Sequence, residues 1–233
     1  MSLVVAPAPT MIDGIKLKIC GITSVADAEA AVTAGADFLG FVFYPRSARH
    51  DPSAQYQTLK EKLPSRPKVA VCADPVDRDL REIVRLGFDF IQIHCNPDTL
   101  TESVAGWAKM AGTRRLWLAP RLPAASDVFP ELLPYADTFL LDIFHATKPG
   151  GGSRTGDWEK FKRHRATHPD KQWILTGGLD PVNVGEAVRA TGADFLDVNS
   201  GIEQKPGMKS PAKLKAFTFA LHQAAKRGPA PHP

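Results

Sequence analysis

The feature that most constrains the fold of this chain is a short unit that occurs four times. Each copy has a glycine or alanine, then an aspartate one or two residues later, and then an apolar run. The copies begin at Gly35, Gly87, Ala136 and Gly192. A glycine can adopt the left-handed conformation that ends a helix, and a short apolar run suits a strand buried on both faces. The unit therefore predicts helices that lead repeatedly into the strands of a buried parallel sheet.

The remaining apolar runs complete a set of eight predicted strands, at residues 16–20, 38–43, 68–72, 89–94, 114–118, 138–142, 172–176 and 194–198. Helical patterns are predicted between and after them at residues 26–34, 54–63, 77–86, 100–110, 158–165, 182–190 and 212–224, with the weakest pattern near 127–133. Strands that alternate with helices pair in parallel through right-handed crossovers, and eight such units close a barrel. We predict a single (β/α)8 TIM barrel of the α/β class rather than an open doubly wound sheet.

The chain has 233 residues, which is within the range of one such barrel. Residues 1–14 and 227–233 are rich in proline or lack periodicity, so we predict a flexible N-terminal extension and a flexible C-terminal tail. Residues 15–226 are then the catalytic barrel domain. Met11 is an alternative start of the natural protein.

The net charge of +4 comes from basic residues that are interleaved with acidic ones rather than grouped in a block. This distribution favours a small anionic metabolite over nucleic acid as the partner, and a merely solvated basic surface is the alternative. Three cysteines do not form a disulfide framework, and there is neither a signal peptide nor an apolar stretch of the roughly 18 residues that a membrane span needs. We predict a cytoplasmic protein without a nucleic-acid or membrane partner.

Barrel enzymes carry their active sites at the C-terminal ends of the strands, where this sequence places two candidate catalytic residues. Cys20 ends the first strand, near basic side chains that would stabilise a thiolate able to abstract a proton. Asp142 ends the sixth strand, where an apolar surround would raise the pKa of its carboxyl group and keep a proton for donation. A small buried cysteine and a loop-capping carboxylate are the alternatives. Cys72 and Cys95 are interpreted as packing residues.

Glycine-bearing turns follow the last two strands, with Gly177 and Gly178 after the seventh and Ser200 and Gly201 after the eighth. Glycines allow backbone N–H groups to approach an anion, and this fold commonly binds phosphate at these two turns. We therefore predict a phosphate site there, although any strand-to-helix turn can require glycine.

Gln92 and His94 lie two residues apart on the fourth strand and are expected to point into the barrel. They bind substrate by hydrogen bonds, or His94 is a core histidine whose hydrogen bonds are satisfied within the protein. His164, His168 and Asp170 lack the spacing of a metal site, and no dinucleotide fingerprint occurs, so we predict neither metal nor cofactor. The Gly150–Gly152 run is interpreted as part of a lid loop.

Taken together, the motifs at these strand ends resemble the phosphoribosylanthranilate isomerase family of tryptophan biosynthesis. The similar segments cover about residues 16–220 and are Lys18–Thr23, Gly40–Arg49, Gln92–His94, Leu141–Asp142, Thr176–Leu179, Asp197–Glu203 and Pro206–Lys209. The chain departs from the family pattern at Cys95, at Cys72–Asp74 and in the 148–156 loop. These departures concern packing and loop closure more than the reaction type.

The resemblance implies an isomerase that performs an Amadori rearrangement of N-(5-phosphoribosyl)anthranilate without a cofactor. By the same resemblance, Asp142 would protonate the furanose oxygen, Cys20 would remove the C2 proton, and Arg49 would bind the anthranilate carboxylate. Further substrate-binding residues would be Lys18, Gln92, His94 and Asp197, with phosphate bound by Gly177, Gly178, Ser200 and Gly201. A monomer or homodimer acting on a small phosphorylated substrate is expected. The alternatives are another sugar-phosphate isomerase of the phosphate-binding barrels and a non-catalytic sugar-phosphate binding protein.

Overall fold

Eight parallel strands form a closed barrel in the computed structural model, which describes residues 11–50, 53–96, 101–122, 126–142 and 158–227. The strands are β1 (Lys16–Ile19), β2 (Phe38–Val42), β3 (Lys68–Ala73), β4 (Phe90–Cys95), β5 (Leu116–Pro120), β6 (Thr138–Asp142), β7 (Gln172–Thr176) and β8 (Phe195–Val198). Each strand pairs with the next along the chain, and β8 pairs with β1 from Lys16↔Phe195 to Ile19↔Val198. The predicted (β/α)8 barrel is confirmed.

Within the described ranges, seven α-helices accompany the strands: α1 (Val25–Thr33), α2 (Ser53–Lys60), α3 (Asp77–Leu86), α4 (Thr101–Ala111), α5 (Trp158–Thr167), α6 (Val184–Thr191) and α7 (Pro211–Arg227). Their bounds lie within a few residues of the predicted ones. Between β5 and β6, where the helical pattern was weakest, the structure has a 3-10 helix at Pro130–Tyr135. Pro134 inside this segment cannot donate a backbone hydrogen bond, which disfavours a full α-helix.

A short antiparallel hairpin that the sequence did not predict follows β8. Its strands are β9 (Glu203–Lys205) and β10 (Met208–Lys209), and a 3-10 helix at Ser200–Ile202 precedes it. The hairpin is held to the start of α1, because the backbone N–H of Lys209 donates to Asp27 Oδ1 at 3.0 Å and Thr23 Oγ1 donates to the carbonyl of Gly207 at 2.7 Å. It thereby covers one side of the barrel mouth, the end at which the strands finish.

The repeated unit of the sequence has a clear structural role. Gly87 ends α3 in the left-handed conformation at φ 78°, and Gly192 ends α6 in the same way at φ 66°. The aspartate that follows can tie its strand to the preceding one, since Asp37 Oδ2 accepts the backbone N–H of Leu17 at 2.8 Å and Asp89 Oδ2 accepts that of Lys68 at 2.7 Å. The unit therefore ends a helix and helps to align adjacent strands.

Aromatic rings close the barrel interior at the end where the strands begin. Phe38, Phe90, Trp117 and Phe195 form this aromatic floor, with contacting ring centroids 4.8 to 5.7 Å apart. Alternate residues of a strand point to the same face, so the residues two and four positions later also face inward, towards the mouth. The other faces of the strands pack against the helices in a second, larger apolar cluster.

The ends of the barrel differ slightly from the predicted boundaries. Ile12, in the segment predicted as a flexible extension, is buried and pairs with Ile15 in a short bridge. At the other end, α7 continues to Arg227. Among the described residues, the helices are too short or too polar to cross a lipid bilayer.

Candidate active site

Cys20 follows the last residue of β1 and lies at the barrel mouth, as predicted. Its backbone N–H donates to the carbonyl of Val198 at 2.9 Å, which aligns it with the end of β8. The residue is only 5% exposed. Burial raises the pKa of the Cys20 thiol, and the opposing effects of Lys18 and Lys209 do not compensate. Lys18 and Lys209 thus lower the pKa of the thiol, as the sequence suggested for nearby cations, but desolvation outweighs them.

Beneath Cys20, the barrel interior holds a buried ion pair. Lys18 Nζ donates to Asp197 Oδ1 at 2.8 Å across the β1–β8 ladder, and the Lys18 side chain is fully buried. Burial opposes the charged amine, but the Asp197 carboxylate and the Cys20 sulfur outweigh it and raise the pKa of Lys18. The charged Lys18 ammonium group thus forms one hydrogen bond with Asp197 and another with Cys20.

Arg49 lies over the residue that follows Cys20. A Cβ atom built on Gly21 would lie 2.8 Å from Arg49 Cδ and 2.6 Å from Asn199 Oδ1, so only glycine allows these side chains to approach. Gly21 also has a φ of 73°, which favours glycine. The close approach brings the arginine to the same mouth as the cysteine.

The Arg49 guanidinium is bound by Glu203, a residue to which the sequence interpretation assigned no role. Arg49 Nε donates to Glu203 Oε1 at 2.8 Å and Nη2 donates to Oε2 at 2.5 Å. Lys209 Nζ donates to the same Oε1 at 3.0 Å and to Asn199 Oδ1 at 2.9 Å. Burial would raise the pKa of Glu203, but its two cationic partners lower it overall. Glu203 and Lys209 occur in the motifs that carry the family resemblance. That resemblance is the sequence signal that could have identified them as site residues.

Asp142 ends β6 on the same inward-facing row as Leu140 and pairs in register with Thr176. The four preceding residues of the strand are buried, but Asp142 is exposed. The predicted apolar surround is therefore wrong for the described residues, among which the Asp142 side chain is exposed. Around the closed barrel the strands run β6, β7, β8 and β1, so the ends of β7 and β8 lie between Asp142 and Cys20.

The two glycine-bearing turns lie at that position and touch each other. Gly177 and Gly178 have φ values of 92° and 58°, which L side chains rarely adopt. A Cβ atom on Gly201 would collide with the carbonyl oxygen of Leu179, so glycine is required where the second turn packs on the first. The turn after β7 is braced by Asn183, whose Nδ2 donates to the carbonyl of Gly178 at 2.8 Å. The predicted phosphate-binding residues are thus adjacent, on preformed backbone.

Gln92 and His94 point inward from β4 and contact each other, with 2.9 Å between Gln92 Nε2 and His94 Nε2. The amide N–H donates, so His94 Nε2 accepts and the ring is neutral. Burial lowers the pKa of His94 to about 4, and the positive charges of Lys18 and Arg121 act in the same direction. Gln92 Oε1 is buried without a hydrogen-bond partner within the described residues. It is an acceptor directed towards the barrel interior.

Other candidates lie apart from the mouth. His164 is buried, its Nδ1 donates to the carbonyl of Lys160 and its Nε2 accepts the N–H of Val128, so both nitrogens have structural bonds. Cys72 and Cys95 are buried, and burial raises the pKa of each thiol to about 12, which suits packing residues. No metal-binding group of three side chains occurs in the part of the chain that the structure describes. The predicted lid loop, 148–156, lies outside the described residues.

The mouth therefore combines a thiol, an exposed carboxyl group, a guanidinium and two adjacent glycine turns on strands that surround one opening. Such a set can bind an anionic ligand by its phosphate, bind a second anionic group with the arginine and exchange protons on either side of the ligand. The function of this site depends on which ligand carries a phosphate, a second anionic group and protons that can be exchanged between them.

Comparison with known proteins identifies a family to which this chain is similar. A family model described as N-(5'-phosphoribosyl)anthranilate (PRA) isomerase matches residues 17–220. The N-(5'-phosphoribosyl)anthranilate isomerase of Parvibaculum lavamentivorans is 37% identical over 219 residues, which cover 90% of this chain and 99% of that protein.

Solved structures agree with the sequence matches. The crystal structure of TrpF from Jonesia denitrificans has a TM-score of 0.72 and 30% identity, covering 91% of this chain and 98% of that chain. A phosphoribosyl anthranilate isomerase in complex with reduced 1-(o-carboxyphenylamino)-1-deoxyribulose 5-phosphate has a TM-score of 0.66 and 27% identity, covering 91% and 99%. The fold, the arrangement of the mouth and these similarities lead to one conclusion: the chain belongs to the phosphoribosylanthranilate isomerase family.

Proposed function

We propose that this protein converts N-(5-phosphoribosyl)anthranilate into 1-(2-carboxyphenylamino)-1-deoxyribulose 5-phosphate, an aldose–ketose isomerisation of tryptophan biosynthesis. The observation that carries the proposal is the placement of Cys20, Arg49 and the two glycine turns around one barrel mouth, with Asp142 on the far side of those turns. The substrate has a phosphate at one end and an aromatic carboxylate at the other, and the mouth offers a group for each.

The phosphate binds to backbone N–H groups around Gly177, Gly178, Ser200 and Gly201. The positive φ values of Gly177 and Gly178 and the close packing of Gly201 on the Leu179 carbonyl support this role, because preformed N–H groups stabilise an anion without reorganisation. Arg49 binds the anthranilate carboxylate at the opposite end. Anchoring both ends places the ribose between the β6 and β1 sides of the mouth.

Asp142 acts as the general acid and Cys20 as the general base. The Asp142 carboxyl donates a proton to the furanose ring oxygen while the bond from that oxygen to C1 breaks, and the anthranilate nitrogen supplies the electron pair that forms the C1 iminium. Cys20 then removes the C2 proton as a thiolate, and the C2–H electrons neutralise the iminium to give an enolamine. Tautomerisation to the ketone returns a proton to carbon, so the sequence is redox-neutral and needs no cofactor.

Lys18 supports the base, because its ammonium group favours a negative charge on the Cys20 sulfur. Asp197 holds Lys18 in place through the 2.8 Å ion pair. Gln92 and His94 contribute hydrogen bonds to the sugar hydroxyls, and the unpartnered Gln92 Oε1 is the acceptor that supports this assignment. All four residues face the interior below the mouth.

The complex of a family member with the reduced product analogue supports the substrate assignment, since this chain has the same fold at 27% identity. A cytoplasmic location, the absence of a nucleic-acid partner and a monomeric or homodimeric state stay predictions from the sequence.

The test follows the fluorescence of freshly generated phosphoribosylanthranilate in the presence of metal-free protein. Decay with the wild-type protein, and none with Cys20→Ala or Asp142→Asn, would support the reaction and both roles. Absence of decay in the wild type would contradict the proposal and favour a binding protein or another sugar-phosphate isomerase. Full activity after complete alkylation of Cys20 would contradict its assignment as the base.

A further inference from the structure

The guanidinium of Arg49 is held along one edge only. Glu203 accepts from Nε and Nη2, at 2.8 and 2.5 Å, which is the side-on arrangement of a two-point arginine–carboxylate pair. The remaining N–H groups, on Nη1 and on the outer side of Nη2, form the end-on edge. Arg49 makes no hydrogen bond through Nη1 within the described parts of the chain. The Glu203 carboxylate therefore fixes the guanidinium and leaves its end-on edge available for a second carboxylate.

Glu203 is itself held in place by several hydrogen bonds. Its carboxylate is 3% exposed, Lys209 donates to Oε1 at 3.0 Å and the Gly207 N–H lies 3.3 Å from the same oxygen. The carbonyl of Glu203 also accepts from Lys213 Nζ at 2.7 Å. A carboxylate with this many fixed partners can hold the flexible arginine side chain in a single orientation, which lowers the entropy lost when a ligand binds.

The charges of this cluster leave it receptive to an anion. Two cations, Arg49 and Lys209, share the single carboxylate of Glu203, so one positive charge is not neutralised by it. Lys209 is fully buried and its other partner is the neutral amide of Asn199. Arg49 is the more exposed of the two cations, with 21% of its side chain accessible, so it presents the excess charge to a ligand.

On the basis of the function proposed above, we infer that Glu203 is a positioning residue that makes Arg49 selective for substrates with a carboxylate on the aromatic ring. Side-on pairing with Glu203 directs the end-on edge of Arg49 to the mouth beside Cys20. Lys209 holds Glu203 in turn. The hairpin β9–β10, which supplies both residues, is therefore a specificity element of the active site rather than a mere connection to α7.

The experiment compares two ligands that differ by one group: the reduced product analogue with its ring carboxylate, and the same molecule with an unsubstituted phenyl ring. Dissociation constants are measured by calorimetry. The test variants are Glu203→Asp, which keeps the charge on a shorter side chain, and the double variant Glu203→Gln with Lys209→Met. The double variant avoids leaving the fully buried ammonium group of Lys209 without a counter-charge, a change that by itself can unfold the protein.

We expect the double variant to bind the carboxylated ligand about tenfold more weakly and the phenyl ligand about as well as the wild type, because only the charge-assisted bonds are disturbed. Glu203→Asp should bind the carboxylated ligand about threefold more weakly than the wild type, because it keeps the charge on a shorter side chain. In turnover, the double variant should raise KM more than it lowers kcat, since the carboxylate is remote from the reacting carbons. The matched control is Asp127→Asn, which removes the carboxylate of the exposed Arg163–Asp127 ion pair and should change neither KM nor kcat.

Equal losses for both ligands would overturn the inference, because they would indicate a general loss of site structure. Unchanged preference for the carboxylated ligand would overturn it as well, and the proposed function would then stand if the wild-type protein still turned over phosphoribosylanthranilate. Failure of the wild type to bind either ligand would contradict the proposed function and the role of Glu203 together.

Discussion

The aromatic floor and the mouth of this barrel are built from the same eight strands but from opposite chemistry. At the floor, four aromatic rings pack against one another. Two residues beyond Phe195 along β8, Asp197 forms an ion pair with Lys18. Above this pair, Arg49, Glu203 and Lys209 share charges that are largely withdrawn from water.

The contrast shows where stability and function are separated in this protein. Packed aromatic side chains stabilise by burying apolar area and by ring contacts, and they have no chemical task. Buried ion pairs contribute little net stability compared with apolar side chains of the same size, because desolvation offsets the attraction. Their presence at the mouth agrees with the binding and proton transfer proposed for this site, and with the usual division between the two ends of such barrels.

The largest expected effect breaks the mouth without touching the floor. Cys20→Ala should lower kcat by about 10²–10⁴, the range in which a general base contributes, while the melting temperature changes little. The measurement is the fluorescence assay beside a thermal unfolding curve. The matched control is Cys95→Ala, another buried cysteine outside the mouth, which should keep its activity within about twofold. Comparable loss of activity in both variants would contradict the special role of Cys20.

The converse change breaks the floor. Trp117→Ala removes the ring that contacts three other aromatic side chains, and we expect the free energy of unfolding to fall by about 3–5 kcal/mol. The kcat of the molecules that remain folded should be nearly unchanged, because the ring lies below the reacting groups. Urea unfolding measures the first quantity, and active-site titration with the product analogue corrects the second. A loss of kcat without a loss of stability would mean that the two ends are not separate.

The pH dependence of the free energy of unfolding gives a third test, through His94 on the mouth side of the barrel interior. His94 has a folded-state pKa of about 4 against an ordinary value of 6.5, so the unfolded chain binds its proton more readily. Stability should therefore fall as the pH decreases from 6.5 to 4, by up to about 3 kcal/mol from this one residue.

The comparison that isolates this contribution is His94→Gln, whose amide oxygen can still accept from Gln92. Urea unfolding of the wild type and the variant at several pH values gives the difference. We expect the two stability curves to converge towards pH 4 and to run parallel above pH 7. Parallel curves over the whole range would show that folding does not lower the pKa of His94.

The smallest expected effect lies outside both regions. Arg163 and Asp127 form an ion pair at 2.6 Å in which both side chains are more than half exposed. Asp127→Asn should change the free energy of unfolding by less than about 1 kcal/mol, because solvent screens the attraction. Chemical denaturation detects a change of that size, and a loss of several kcal/mol would show that solvent does not screen this ion pair.

The order and nature of the elements could be predicted because local signals report them directly. Gly87 and Gly192 end helices in the conformation that glycine favours, and Asp37 lies before a buried strand that it helps to align. The strand ends then placed Cys20 and Asp142 at one opening. The segment at Pro130–Tyr135 was least certain, and it became a 3-10 helix because its prolines interrupt the hydrogen-bonding pattern.

The electrostatic state of the site could not be predicted in this way. Basic residues near Cys20 suggested a thiolate, but burial raises the pKa of the thiol, and the exposed fraction of a side chain depends on the whole barrel. For the same reason Asp142, at the end of an apolar run, proved to be exposed at the open mouth.

By itself, the sequence determined a barrel of eight strands and the position of a cysteine, an arginine, a carboxylate and two glycine turns along it. Only the tertiary structure decided which charged groups meet. Lys18 pairs with Asp197 at a separation of 179 residues, and Arg49 pairs with Glu203 at a separation of 154. Such contacts exist only after β8 has closed against β1, because closure brings the two ends of the chain together and no local pattern encodes the partner.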